Sequence, residues 1–167
     1  MGDVVGWVWI TFVMITSLVL SAVMRRGRSA KARKAFLDLY RRQSLPALFR
    51  NAWMAMPLLV AGFVTLWVGI GIAPGLAESG VVQDSLAFPL AFGAIGLAMA
   101  LFGGFVVLAS RPPRWLVPAW VPKDDGEAGY VPPKPDWFDR IVTAVGLLFF
   151  VVGAVVDIAV LLGFAHR

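Results

Sequence analysis

The chain has no cysteine and a single histidine, His166, among 167 residues. The first absence excludes disulfides, thiolate metal sites and cysteine nucleophiles. The second excludes a bis-histidine haem site within one chain. Charge is also scarce: Asp, Glu, Lys and Arg make up 15% of the residues, against about 25% in a soluble domain. There is no HExxH, GxSxG, P-loop or GxGxxG. Alternating strands of the kind a transmembrane barrel needs are missing too. No nucleophile stands beside a base, so a non-catalytic protein without a cofactor is the expectation.

What is present is apolar. Hydrophobic residues make up 59% of the chain, concentrated in four runs at about 4–24, 52–73, 86–109 and 141–164. Each is long enough to cross a hydrocarbon core of about 30 Å, which takes ~20 helical residues. Backbone N–H and C=O groups must be satisfied internally at that depth, so each run should be helical. The sequence therefore predicts an all-α integral membrane protein, with 1–167 forming a single four-helix membrane domain. Two long connections interrupt it, a basic one at 25–50 and a proline-rich one at 110–140.

The charges orient it. Nine of the fifteen Lys and Arg lie from Arg25 to Arg50, and five more from Arg111 to Arg140. The connection from Pro74 to Ser85 has none. Cytoplasmic loops collect Lys and Arg, so both long connections should be inside and both termini outside. The first run is preceded by Asp3 and followed by "MRRGR", which fits an uncleaved helix better than a signal peptide. Trp7, Trp9 and Trp67 would then mark the outer interface, and Trp53, Trp115, Trp120 and Trp137 the inner one. Arginine outnumbers lysine eleven to four, a bias that suits a GC-rich bacterial genome and hence a bacterial inner (plasma) membrane.

In the first long connection Ala32, Ala35, Phe36, Leu39 and Tyr40 recur at helical spacing, with basic residues between them. Pro46 then interrupts. The pattern predicts a basic amphipathic helix over about 29–44, lying on the inner leaflet with its apolar face in lipid. Arg25, Arg26, Arg28, Lys31, Arg33, Lys34, Arg41 and Arg42 would meet anionic head groups, each contributing ~1 kcal/mol near the surface, or else a partner protein. No base-stacking module accompanies the charge, so nucleic acid is not expected.

The second connection carries seven prolines from Pro112 to Pro135. It should be extended and linker-like, with Trp115 and Trp120 in the membrane interface. "VPPKP" resembles a proline-rich ligand only weakly, and "DDGE" reads as a solvated turn. Asp136 is the expected N-cap of the last helix, with Asp139 favouring its first turn through the helix dipole.

Helices meet in a bilayer through small residues and interhelical hydrogen bonds. Gly93, Gly96, Ala100 and Gly104 form one stripe in the third run. Gly62, Thr65 and Gly69 form another in the second, and Ser17 and Ser21 mark the first. In the fourth run Gly146 and Gly153 share a face with Asp157, the one charged residue in "FFVVGAVVDIAVLLGF". A carboxylate there is costly and calls for a partner. Thr65, or Thr11 in the first run, is the candidate. Asp157 is then a neutral hydrogen-bonded group, a proton- or cation-handling carboxylate, or a contact to another subunit. His166 reads as a tail residue. Two functions follow as expectations. One is an accessory or assembly subunit working with other membrane subunits or with itself. The other is a proton- or cation-coupled transporter or channel component built on Asp157, which with four spans would need an oligomer.

Overall fold

A computed structural model describes residues 2–41, 46–80, 84–121 and 136–165, and every regular element among them is helical. The order is α1 (Gly2–Arg26), α2 (Ala30–Arg41), α3 (Ala47–Trp67), a π-helical turn (Val68–Ile72), α4 (Ala73–Glu78), α5 (Asp84–Ser110), a 3-10 turn (Arg114–Leu116) and α6 (Trp137–Ala165). Three helical stretches, Ala47–Leu76, Leu86–Ser110 and Trp137–Gly163, are long and apolar enough to cross a membrane. A fourth is added if Ile10–Arg26 and Ala30–Asp38, which meet at a 101° bend, are counted together. "VPPKP", "DDGE", Arg42 and His166 lie outside the described residues.

Proline explains where α3 departs from regularity. An α-helical register would aim the Ile70 carbonyl at Pro74, which has no N–H and whose ring clashes with that oxygen. The turn before it widens to π instead. Earlier in the same helix, Pro57 leaves the Trp53 carbonyl without its intrahelical donor.

The described residues group into two compact units. The first comprises Met1–Pro57 with Leu108–Ile141. Here the orphaned Trp53 carbonyl accepts a 2.7 Å hydrogen bond from the buried Ser21 hydroxyl of α1. Arg25, one turn later, donates through its guanidinium to the Met54 carbonyl at 2.7 Å. The carbonyl freed by Pro57 is thus an anchor point for α1. At the other end of α3, Asp139 of α6 accepts from the Ala47 N–H at 3.0 Å, so one carboxylate serves the first turns of two helices. Asp136 caps α6 itself, accepting from the Asp139 N–H at 2.8 Å.

α1 ends at Gly27, whose φ of 54° is a left-handed conformation that glycine adopts without strain. Trp120 lies against this corner, its indole Nε1 donating to the Met24 and Arg25 carbonyls at 3.2 Å each. A side chain at position 27 would occupy the same space as that ring. Arg33 donates from Nε to the Gly27 carbonyl and stacks 5.8 Å from the Trp120 ring centre. Phe36, only 1% exposed, stands edge-on to both Trp53 and Trp120 at 5.0 Å. Leu116, Val117 and Val121 complete this core.

Two sequence-based expectations change here. Phe36, on the α2 face expected in lipid, packs against protein instead, whereas Ala35 of that face is exposed. The 111–121 stretch is folded around a 3-10 turn and packed through Leu116, Val117 and Val121, rather than being an extended linker. Trp115, 75% exposed, stays at the surface, while Trp120 is half-buried. The cause is shared: a short apolar set in each connection can bury itself against the other, which an isolated loop could not do.

The second unit comprises Leu58–Val107 with Val142–Arg167. α5 and α6 approach backbone to backbone at two places, where Gly96 faces Gly153 and Gly103 faces Gly146. A Cβ on Gly153 would strike the Gly96 carbonyl oxygen and come within 2.5 Å of the Ala100 nitrogen. One on Gly103 would strike the Gly146 carbonyl and come within 2.5 Å of the Phe150 nitrogen. The two pairs are seven residues apart on each helix, the repeat that keeps one seam in register. α3 meets α5 through Gly62, beside the Phe102 ring. The π turn meets it through Gly69, beside Ala94 and the Ala91 carbonyl.

Candidate functional site

Asp157 stands on the α6 face that meets α5. Its Oδ1 lies 2.6 Å from where a Cβ at Gly96 would be, and Val156 Cγ1 lies 3.0 Å from the same point. Glycine at 96 is therefore what makes room for the carboxyl group. Gly93 and Ala100, one turn to either side, continue the contact: Gly93 faces Val160 at 3.7 Å, and Gly153 lies against Ala100. The predicted stripe is thus largely a contact surface with α6. Gly104 departs from it and faces Leu58 of α3 at 3.8 Å. Gly103, which sequence reasoning missed, takes its place.

Thr65 does not serve Asp157. Its hydroxyl donates to the Ala61 carbonyl of its own helix at 2.8 Å, a bond that Ser and Thr side chains commonly make inside helices. Asp157 has no hydrogen-bond or ion-pair partner among the described residues, although it is half-buried. No other ionisable residue occurs in 141–165, and none occurs in 86–110. Along α6 the nearest is Arg140, seventeen residues away, about 25 Å at 1.5 Å per residue. The described residues contain no group of His, Cys, Asp or Glu able to hold a metal ion.

A groove of about 390 Å³ opens between α5 and α6. Phe88 and Phe92 of α5 form one wall, with ring centres 4.2 Å apart. Val156, Ala159, Val160 and Gly163 of α6 form the other, and Pro89 lies between Phe88 and Phe92. Every lining residue is apolar. Phe88, Phe92 and Gly96 follow at four-residue intervals along α5 and so share a side. Of the lining residues, Val156 also borders the space at Gly96, whereas Gly96 and Asp157 themselves do not line the groove.

The basic residues divide into two sets. Arg25 and Arg33, though exposed, are engaged by the fold, on the Met54 carbonyl and on the Gly27–Trp120 corner. Arg26, Arg28, Lys31 and Lys34 are exposed. Arg41 ends α2. Sequence reasoning also missed Asn51, fully buried one turn beyond Ala47, whose amide atoms have no partner among the described residues. It stands just ahead of the apolar run, where polarity suggests a loop.

The fold and these residues define the class: an all-helical protein with three to four helices apolar enough for a membrane. Comparison with protein-family models, curated proteins and solved structures finds no match, so no family assigns a role to any of these residues.

Proposed function

We propose that the chain is a four-span protein of a bacterial inner membrane, acting as a non-catalytic accessory or assembly subunit. α1 is the fourth span by itself. Its 25 residues measure about 37 Å, and the bend at Gly27 turns α2 away. Both termini lie outside, and the basic and proline-rich connections inside, by the distribution of Lys and Arg.

The observation that carries the functional reading is the state of α2. Phe36 on its apolar face packs against the protein's own Trp53 and Trp120, while Arg26, Arg28, Lys31 and Lys34 are exposed. A helix meant only to float on lipid keeps its apolar face for lipid. This one is fixed at its root and presents a cationic surface, the form suited to an acidic partner or an anionic leaflet.

Native-gel analysis of a mild detergent extract of the source membranes tests this. The full chain should migrate within a complex, and charge reversal at Lys31 and Lys34 should release it. A lone monomer before and after the reversal refutes the proposal.

A second reading is favoured by Asp157. An intramembrane carboxylate without a partner among the described residues is a site for a proton or a cation. It would make the protein a component of a coupled transporter or channel, working as an oligomer. Infrared difference spectroscopy against Asp157→Asn tests it, through the appearance or absence of a titrating carboxyl band.

A further inference from the structure

We infer that the corner between α1 and α2 binds an anionic phospholipid, its phosphate held by Arg26, Arg28, Lys31 and Lys34 and an acyl chain lying along α1. The inference deepens, and rests on, the reading of this corner as a cationic surface.

The cations are free and their frame is fixed. Arg26, Arg28, Lys31 and Lys34 are exposed and have no hydrogen-bond or ion-pair partner among the described residues. Arg26 is the last residue of α1, and Lys31 and Lys34 are neighbours one turn apart on α2. The backbone between them is tied down by Trp120, on the Met24 and Arg25 carbonyls, and by Arg33, on the Gly27 carbonyl. A ligand bound there does not have to order the corner first. The only acid from residue 25 to residue 50 is Asp38, exposed one turn beyond Lys34. The corner therefore keeps an excess of positive charge.

The surface of α1 selects among anions. Ile15, Val19, Val23 and Arg26 follow at intervals of four, four and three residues and so share one side of the helix. All are exposed, Ile15 and Val19 at 56% and Val23 at 46%. The opposite side carries the buried Ser21, and Met24, which packs on the aromatic core. From Ile15 to Arg26 the helix rises about 16 Å, close to half of a hydrocarbon core of about 30 Å. An apolar stripe one leaflet deep thus leads into a cation at head-group level. Trp115 and Trp137, exposed in the same unit, suit the interface at this end. A phospholipid uses both parts, its chain on the stripe and its phosphate on the cations. An acidic soluble protein or a free phosphate uses the cations alone.

Native mass spectrometry of the full chain in neutral detergent tests this, with phosphatidylglycerol and phosphatidylcholine of identical acyl chains as probes. Phosphatidylglycerol should bind at least about tenfold more tightly. Arg26→Gln with Arg28→Gln should remove that preference, and Lys31→Gln with Lys34→Gln should weaken it. Arg111→Gln with Arg140→Gln removes the same charge from exposed positions elsewhere in the unit and should leave the preference unchanged. Glycerol 3-phosphate, a phosphate without chains, should not compete.

Absence of the preference overturns the inference. So does an equal loss in the Arg111 and Arg140 variant, which marks general attraction to a basic protein. Full competition by glycerol 3-phosphate overturns it as well, by marking a site for phosphate rather than lipid. The native gel judges the accessory reading separately. A chain without lipid preference that leaves its complex on reversal of Lys31 and Lys34 overturns this inference alone, and puts an acidic protein at the corner. A chain that selects the lipid yet migrates as a lone monomer supports this inference and overturns the accessory reading.

Discussion

Two neighbouring glycines of α5 should respond to alanine in opposite ways. Gly103 faces α6, and a Cβ there would stand 2.5 Å from the Phe150 nitrogen, 2.9 Å from its Cα and against the Gly146 carbonyl. Carbon contacts are most favourable near 3.5–4.0 Å, so relief requires about 1 Å of separation. The obstructing atoms are backbone and cannot rotate away, so the whole seam must open. A radial gap of about 1 Å forfeits a quarter to half of each dispersion contact, including those at the paired Gly96–Gly153 crossing. Overpacking commonly costs ~1–3 kcal/mol, and the upper end applies here. Against this, alanine gains ~1 kcal/mol over glycine within a helix. The net expectation for Gly103→Ala is a loss of about 2 kcal/mol.

Gly104 is the next residue, yet its Cβ would find Leu58 Cδ1 at 3.8 Å, an ordinary contact. Gly104→Ala should therefore keep the helix-propensity gain of up to ~1 kcal/mol. The two variants differ by one methyl group each, at adjacent positions in one helix, and should be separated by about 3 kcal/mol. Equilibrium unfolding in mixed micelles, with both variants in one detergent series, measures this difference. A Gly103→Ala protein as stable as Gly104→Ala would refute the close α5–α6 seam.

Two further perturbations test the first unit. Ser21→Ala leaves the Trp53 carbonyl with no donor and should cost ~1–3 kcal/mol. Adding Pro57→Ala restores an N–H to that carbonyl, so the Ser21 effect should shrink markedly in the double variant; an unchanged effect would show that Ser21 does not answer the proline. Trp120→Phe keeps most of the ring but removes the donor to the Met24 and Arg25 carbonyls, which should cost ~0.5–1.5 kcal/mol and speed tryptic cleavage at Arg26 and Arg28. Cleavage at the wild-type rate would mean that the indole does not hold the α1–α2 corner.

The apolar runs made the long helices legible, because in hydrocarbon a run of that length has almost no alternative to a helix. Their ends were less legible. α3 begins at Ala47 and α6 at Trp137, several residues before the apolar runs. The polar residues there, Arg50, Asn51 and Asp139, lower hydropathy without breaking a helix. The Asp136 cap could be read locally, since its partner is three residues away. The bond from the Ala47 N–H to Asp139 could not, because it joins residues 92 apart. The same limit hid the aromatic core. Phe36, Trp53 and Trp120 each suggest an interface when read within their own segment, and only tertiary structure shows them packed on one another.

The seam shows what kind of signal was overlooked. Spacing at three and four residues selected Gly93, Gly96, Ala100 and Gly104, whereas the closest approaches obey a spacing of seven that α5 and α6 share. Gly96 and Gly103 on one helix, and Gly153 and Gly146 on the other, form an antiparallel correspondence already visible in the residue numbers. Asp157 belongs to that same geometry. Its carboxyl group occupies the space that a side chain at 96 would need, so Gly96 both admits the carboxylate and faces Gly153. Packing and candidate site are consequently one feature. A substitution that opened the seam would move the carboxylate as well.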